Sequence, residues 1–269
     1  MQSRCAIPTH NLAWLSRLVL LPALGVTLLA QPQIGGGPCT SATLSGNYSF
    51  TLSGRDVASA ATLSAVSVGV GSATFDGLSK VTFTLTGNTA KSQGVAETLS
   101  GVYSLAVNCT GTIAINSGGT ASFTLVAYNQ GKSYLIAGED GTYAYSGSGS
   151  TLPATCSASQ LNGTYSFNGS GFSVTSGDIS GVTDFSGLMQ FDGTQAATAN
   201  WYISSGGGTK VVAASGSYNV SSNCSGTASM TDASGNTYTL QLTVTSTTGG
   251  FVLGGSSPQM VFTASGRTL

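Results

Sequence analysis

The sequence predicts an all-β protein: two tandem antiparallel up-and-down barrels of about eight strands each, with one disulfide per barrel. Three observations carry this. Residues 101–112, GVYSLAVNCTGT, return 115 positions later as 216–227, GSYNVSSNCSGT, so the pattern G-x-Y-(x)5-C-[ST]-G-T is written twice. Apolar and Ser/Thr residues alternate with period two in 48–53, 81–86 and 238–245, the pattern of a half-buried antiparallel strand. Cys39 and Cys109 lie 70 residues apart, and Cys156 and Cys224 lie 68 apart. Of the three connectivities open to four cysteines, the repeat favours one bridge within each copy.

Residues 1–30 read as an export signal. Arg4 and Arg17 make its start basic, 18–30 is an apolar run, and cleavage is expected after Ala30. An uncleaved anchor is the alternative, though the run is short for a membrane span. Residues 31–38 read as a linker, 39–150 as the first barrel and 151–269 as the second. Removing 1–30 also removes His10, the only histidine, and Cys5, the odd cysteine. Six basic residues then face nine acidic ones. That balance provides no basic footprint for nucleic acid or anionic membranes, and no stable membrane insertion is expected after cleavage. Four cysteines in an exported chain point to a secreted or periplasmic protein stapled by disulfides. With no CxxC pair and no histidine partner, no metal or other cofactor is expected.

The copies share landmarks in order. Cys39 precedes Gly46-Asn-Tyr48, as Cys156 precedes Gly163-Thr-Tyr165; Phe75-Asp76-Gly77 matches Phe191-Asp192-Gly193. In the first copy strands are expected over 46–53, 65–75, 79–87, 94–108, 110–116, 120–129, 132–138 and 141–148. Most connections are short and carry Gly, Asn or Asp, which is hairpin chemistry. Consecutive hairpins make a meander, and eight meandering strands abolish their exposed edges by closing. Only the first connection of each copy reads as long, 54–64 or 171–181. If strand 1 rises from the bottom, the turn after strand 4 is also at the bottom. Both cysteines of each expected pair then fall on one rim.

The G-x-Y opening, the long first connection and the short later hairpins together resemble the calycin-type barrels, lipocalins among them. That resemblance implies that Tyr48 and Tyr165 plug the barrel floors, in place of a tryptophan. It implies that Arg267 packs over Tyr165 as a cation–π cover, with no counterpart in the first copy. It also implies a long first loop acting as lid to a ligand cavity. The repeated G-x-Y-x-V and C-[ST]-G-T patterns resemble secreted bacterial, acidobacterial-type tandem β-domains, a resemblance that implies a scaffold and no activity.

Catalysis has little to work with. Without histidine there is no Ser/His/Asp or Cys/His arrangement, and the cysteines are expected to be oxidised. Asp76, Asp192 and Glu139-Asp140 precede glycines and read as turn residues. Asp56 and Asp178 fall in the first connections, where they would line an open end. Trp201-Tyr202 occurs in the second copy only; an outward tryptophan could stack on a sugar, and an inward one would fill the core. The chain therefore reads as non-catalytic. One expectation is a small apolar or amphipathic ligand inside one or both barrels. The alternative is a structural or cell-surface adhesion protein with solid barrels and a carbohydrate or protein partner. An outer-membrane barrel ranks last, because the Ser/Thr face of each strand is too polar for lipid.

Overall fold

A computed structural model of the 269-residue chain describes residues 38–57, 65–245 and 250–269. The export signal, its cleavage after Ala30 and residues 31–37 lie outside the described residues, as do 58–64 and 246–249.

Two closed antiparallel barrels follow one another along the chain. The first comprises β1 (Ser45–Asp56), β2 (Val66–Asp76), β3 (Lys80–Thr89), β4 (Val95–Leu105), β5 (Thr110–Ser117), β6 (Ala121–Tyr128), β7 (Ser133–Glu139) and β8 (Tyr143–Ser150). The second comprises β9 (Asn162–Thr175), β10 (Asp178–Asp192), β11 (Ala196–Ser205), β12 (Gly208–Val220), β13 (Ser225–Asp232), β14 (Thr237–Val244), β15 (Phe251–Ser257) and β16 (Met260–Thr268). Each strand pairs with its neighbours in sequence, and the first and last strands close the ring. Thr51 opposes Ser148 at one seam and Asn168 opposes Ser265 at the other. Closure leaves no edge strand to recruit another chain.

Alternation sorts the side chains as the period requires. Tyr48, Phe50 and Leu52 point into the first barrel while Ser49, Thr51 and Ser53 point out; Tyr165 and Phe167 point in while Ser166 and Asn168 point out. The disulfides join Cys39 to Cys109 and Cys156 to Cys224, with Cα atoms 5.0 and 4.8 Å apart. Each bridge ties the segment before the first strand of its barrel to the turn after the fourth.

The second copy departs from the expected long first connection. β9 continues to Thr175, β10 starts at Asp178, and only Ser176 (φ 54°) and Gly177 (φ 86°) join them. Two consecutive positive φ angles make the tight hairpin turn that suits the twist of paired strands. The strands run on because Phe172 and Val174 are buried in a third apolar cluster with Val66, Val68 and Val261. No lid loop exists there.

That third cluster joins the barrels. Val66, Val68 and Val70 lie on the outward side of β2, opposite in parity to the inward Ala73 and Phe75. They meet outward residues of β9 and β16, with Arg55 over the Phe172 ring at 5.5 Å. A side-chain carbon at Gly254 would stand only 3.1 Å from Val70, so glycine there lets β15 approach β2. Two hydrogen bonds flank the seam: Thr243 Oγ1 donates to Gly71 O and Gln93 Nε2 to Ser257 O, each at 3.4 Å. Burying five such side chains contributes roughly 1.5–3 kcal/mol each before the costs of ordering.

Candidate functional site

The twice-written motif builds the floor of each barrel. Tyr103 Oη lies 2.8 Å from Ser41 O and 2.9 Å from Leu44 O; Tyr218 Oη lies 3.1 Å from Ala158 O and 3.0 Å from Leu161 O. Each hydroxyl shares its proton between the first carbonyl of a short 3-10 turn, Ser41–Thr43 or Ala158–Gln160, and the carbonyl of the leucine that ends it. Asn108 Oδ1 accepts from Thr110 N–H and hydroxyl, and Asn223 Oδ1 does the same for Ser225. Cys109 and Cys224 then adopt φ of 66° and 70°, a left-handed conformation that costs an L-residue about 1–2 kcal/mol. A Cβ at Gly111 or Gly226 would stand about 2 Å from the carbonyl of Ser104 or Asn219, so only glycine fits. The tyrosine, the cysteine, the residue after it and the second glycine of the motif thus serve closure.

Inside the barrels, rings fill the space. Tyr48 is buried and contacts Phe75 and Tyr134 edge-on at 5.4 and 5.6 Å, and its hydroxyl donates to Gly131 O at 2.7 Å. Tyr165 is buried against Phe191 and Phe251, each 5.5 Å away, and donates to Gln160 O at 3.3 Å. Trp201 is inward, 5% exposed, and meets Tyr238 edge-on at 5.2 Å. The void left among Phe167, Phe185, Met189, Trp201, Met230 and Phe262 measures about 20 Å³. That is the scale of one water.

Arg267 does not cover Tyr165. Gly266 points inward against the Phe251 ring, so its neighbour Arg267 must point outward, where it is exposed. Asp56 ends β1, its N–H bonded to Ala65 O at 3.1 Å. Asp178 is not in a loop but opens β10 opposite Thr175, exposed beside the two-residue turn. Both aspartates occupy the barrel end away from the disulfide.

The remaining carboxylates are mostly engaged in turns. Asp76 Oδ1 accepts the N–H groups of Lys80, Leu78 and Ser79 at 2.8–2.9 Å, which lower its pKa. Asp192 accepts the Thr194 hydroxyl and the N–H groups of Thr194, Ala196 and Gln195, which bring its pKa to about 2. Burial works against ionisation of Asp140, but the N–H groups of Tyr143 and Thr142 and the Tyr145 hydroxyl outweigh it. Asn236 and its own turn hold Asp232 low. Burial, then the Asp232 charge, pushes Tyr238 up to about 12. These carboxylates stay charged and their tyrosine partners stay neutral, so neither is poised for proton transfer near neutral pH.

Concave surface occurs outside the barrels. A cleft of about 270 Å³ lies at the seam, lined by Thr84, Thr86, Asn223 and Thr243 among others. Elsewhere three concavities of about 610, 360 and 570 Å³ all touch Ser265, the first two lined by both barrels and the third by the second barrel alone. The register of the second barrel places Val252, Ser265, Asn168, Ser186 and Tyr202 in one row across five neighbouring strands. At about 4.8 Å per strand the row spans about 19 Å. A parallel row holds Arg267, Ser166 and Leu188. Tyr202, Val211 and Leu188 are 59%, 62% and 47% exposed, and Tyr202 directly opposes Val211. The sequence signal for this surface was the unmatched Trp201-Tyr202 pair; parity assigns the outward role to the tyrosine.

Fold and surface together define a class: a tandem of two eight-stranded barrels with ring-packed interiors, joined through outward apolar residues, with polar concavities over the second barrel and between it and the first. No known family profile matches the chain, and no curated protein matches it. Among solved structures the fold comparison gives one described as "Crystal structure of CghA", 10% identical, with the match covering 88% of this chain and 93% of that chain. Its TM-score is 0.22, a likeness that transfers neither site nor function.

Proposed function

We propose that this chain is an exported, non-catalytic interaction protein whose filled barrels are rigid supports and whose outer surface makes the contact. The observation that carries this reading is the packed interior. A small-molecule site needs roughly 300 Å³, against a void of about 20 Å³ in the second barrel and a ring-on-ring cluster in the first. The reading therefore replaces a ligand inside the barrel with a partner outside it. Export is supported by the character of residues 1–30 and by the two disulfides, which persist in oxidising compartments. A non-catalytic role is supported by the turn-bound carboxylates and by the absence of histidine after residue 30.

Cosedimentation of the purified protein with cells and insoluble polysaccharides, beside a fluorescent fatty-acid displacement assay, tests this reading. Retention on a surface with no displacement is expected. Stoichiometric uptake of the fatty acid, with no retention on any surface, overturns it.

A further inference from the structure

Resting on that reading, we propose that the groove over Ser265, Asn168, Ser186 and Tyr202, bounded by Arg267, binds an acidic polysaccharide, a chain of sugars bearing carboxylates. The groove floor consists of short polar side chains standing outward from adjacent strands. Serine hydroxyls and an asparagine amide both donate and accept, as sugar hydroxyls require. None of Ser166, Asn168, Ser186 and Ser265 forms a side-chain hydrogen bond to another described residue, which leaves these groups for a ligand. The first barrel behaves differently at the equivalent seam, where Thr51 and Ser148 bond each other at 3.1 Å.

One wall is apolar. Tyr202 and Val211 stand exposed side by side, with Leu188 diagonal to them. Folding does not require them: the matched positions of the first barrel are Thr86, Ala96 and Ser72. An aromatic ring beside small polar groups offers a platform for the C–H face of a sugar. The row to which that ring belongs is open only in the second barrel. In the first, the position matched to Ser186 is Val70, which is buried against Gly254.

The other wall is cationic. Arg267, where the first barrel has Ser150, is exposed and makes no ion pair among the described residues. Lys132 shares with it the adjoining concavity of about 610 Å³. A guanidinium presents a fork that matches a carboxylate. The nearby acidic residue, Asp184, sits two strands across and four residues along from Arg267, about 17 Å by strand spacing and rise. It would repel a carboxylate at its own end, so the acid group is directed to Arg267 and the sugar hydroxyls to the serines.

Affinity electrophoresis of the purified protein through gels containing polygalacturonate, or its methyl ester as the neutral match, tests the assignment. Retardation by the free acid is expected to exceed that by the ester and to fall with added salt. Tyr202→Ala is expected to weaken binding about tenfold and Tyr202→Phe to retain it; Arg267→Gln is expected to reduce both the preference for the acid and the salt dependence, and Arg267→Gln with Lys132→Gln to abolish them. These side chains are exposed, so unchanged melting temperatures confirm intact folds. Retention on cells or other polymers without polygalacturonate binding, or polygalacturonate binding unaltered in Tyr202→Ala and Arg267→Gln, overturns the groove and leaves the surface-interaction reading standing. Retention on nothing overturns both.

Discussion

Single residues decide how this protein responds to pH. Asp192 is the clearest case: hydrogen bonds from its own turn hold its pKa at about 2, below the ordinary carboxylate range. A folded-state pKa lowered in this way contributes stability above the unfolded value of about 4, and that contribution disappears as pH falls through the folded value. Asp76, Asp140 and Asp232 shift in the same direction. The melting temperature should therefore hold down to about pH 4 and decline towards pH 2. Asp192→Asn should remove part of that decline. At the other extreme, burial raises Tyr103 and Tyr238 to about 12, with Asp76 and Asp232 adding to it. Their neutral forms stabilise the fold fully below about pH 10, and the contribution is lost as pH rises towards 12. Melting curves taken across both ranges check the signs; a level curve between pH 4 and 2 would contradict the turn assignments.

At the scale of elements, the floor motif is where local chemistry and long-range closure meet. The turn after β4 and the 3-10 turn before β1 are joined by Cys39–Cys109, by Tyr103 Oη and by the Cys39 N–H to Val107 O bond of 3.1 Å. The second barrel repeats these joints through Cys156–Cys224, Tyr218 and the Cys156 N–H to Ser222 O bond of 3.1 Å. Removing the first bridge by Cys39→Ala with Cys109→Ala should cost roughly 4 kcal/mol by the chain-entropy treatment of a 70-residue loop. Urea unfolding under non-reducing conditions measures it. A loss much below 1 kcal/mol would mean that the tyrosine and backbone bonds alone hold the floor. Strand positions were largely legible in the sequence because alternation and Asp-Gly turns are local. The fourth strand reads three residues too long, to 108 rather than Leu105, because the turn of Ala106–Cys109 is held by Asn108 and a left-handed Cys109 rather than by glycine. The first connection of the second copy reads as a loop because its glycines and serines conceal strands held by distant Val66 and Val68.

For the whole molecule, the seam determines which surfaces remain free. It joins unlike faces, β1 and β2 of the first barrel to β14, β15 and β16 of the second, with Phe172 and Val174 of β9 packed against Val66 and Val68. The residue of the second barrel that corresponds to Val68 is Asp184, and the residue of the first that corresponds to Phe172 is Arg55. Charged residues at the two matched faces oppose repetition of the same apolar joint. Phe172→Ser should split a single calorimetric unfolding transition into two, with each barrel keeping its far-UV spectrum. An unchanged single transition would show that the seam does not couple the barrels.

By itself the sequence determined the repeat, the strand parity, the barrel class and the cysteine pairing. These depend on period-two alternation, on turn residues and on a doubled spacing, all readable without knowing what packs against what. Tertiary structure alone decided that rings fill the interior, that Val66, Val68 and Val70 are covered although they face outward, and that Tyr202 and Arg267 face a groove. Parity assigns a side chain to one of two faces of a strand. Whether that face meets water or another barrel depends on partners a hundred residues away.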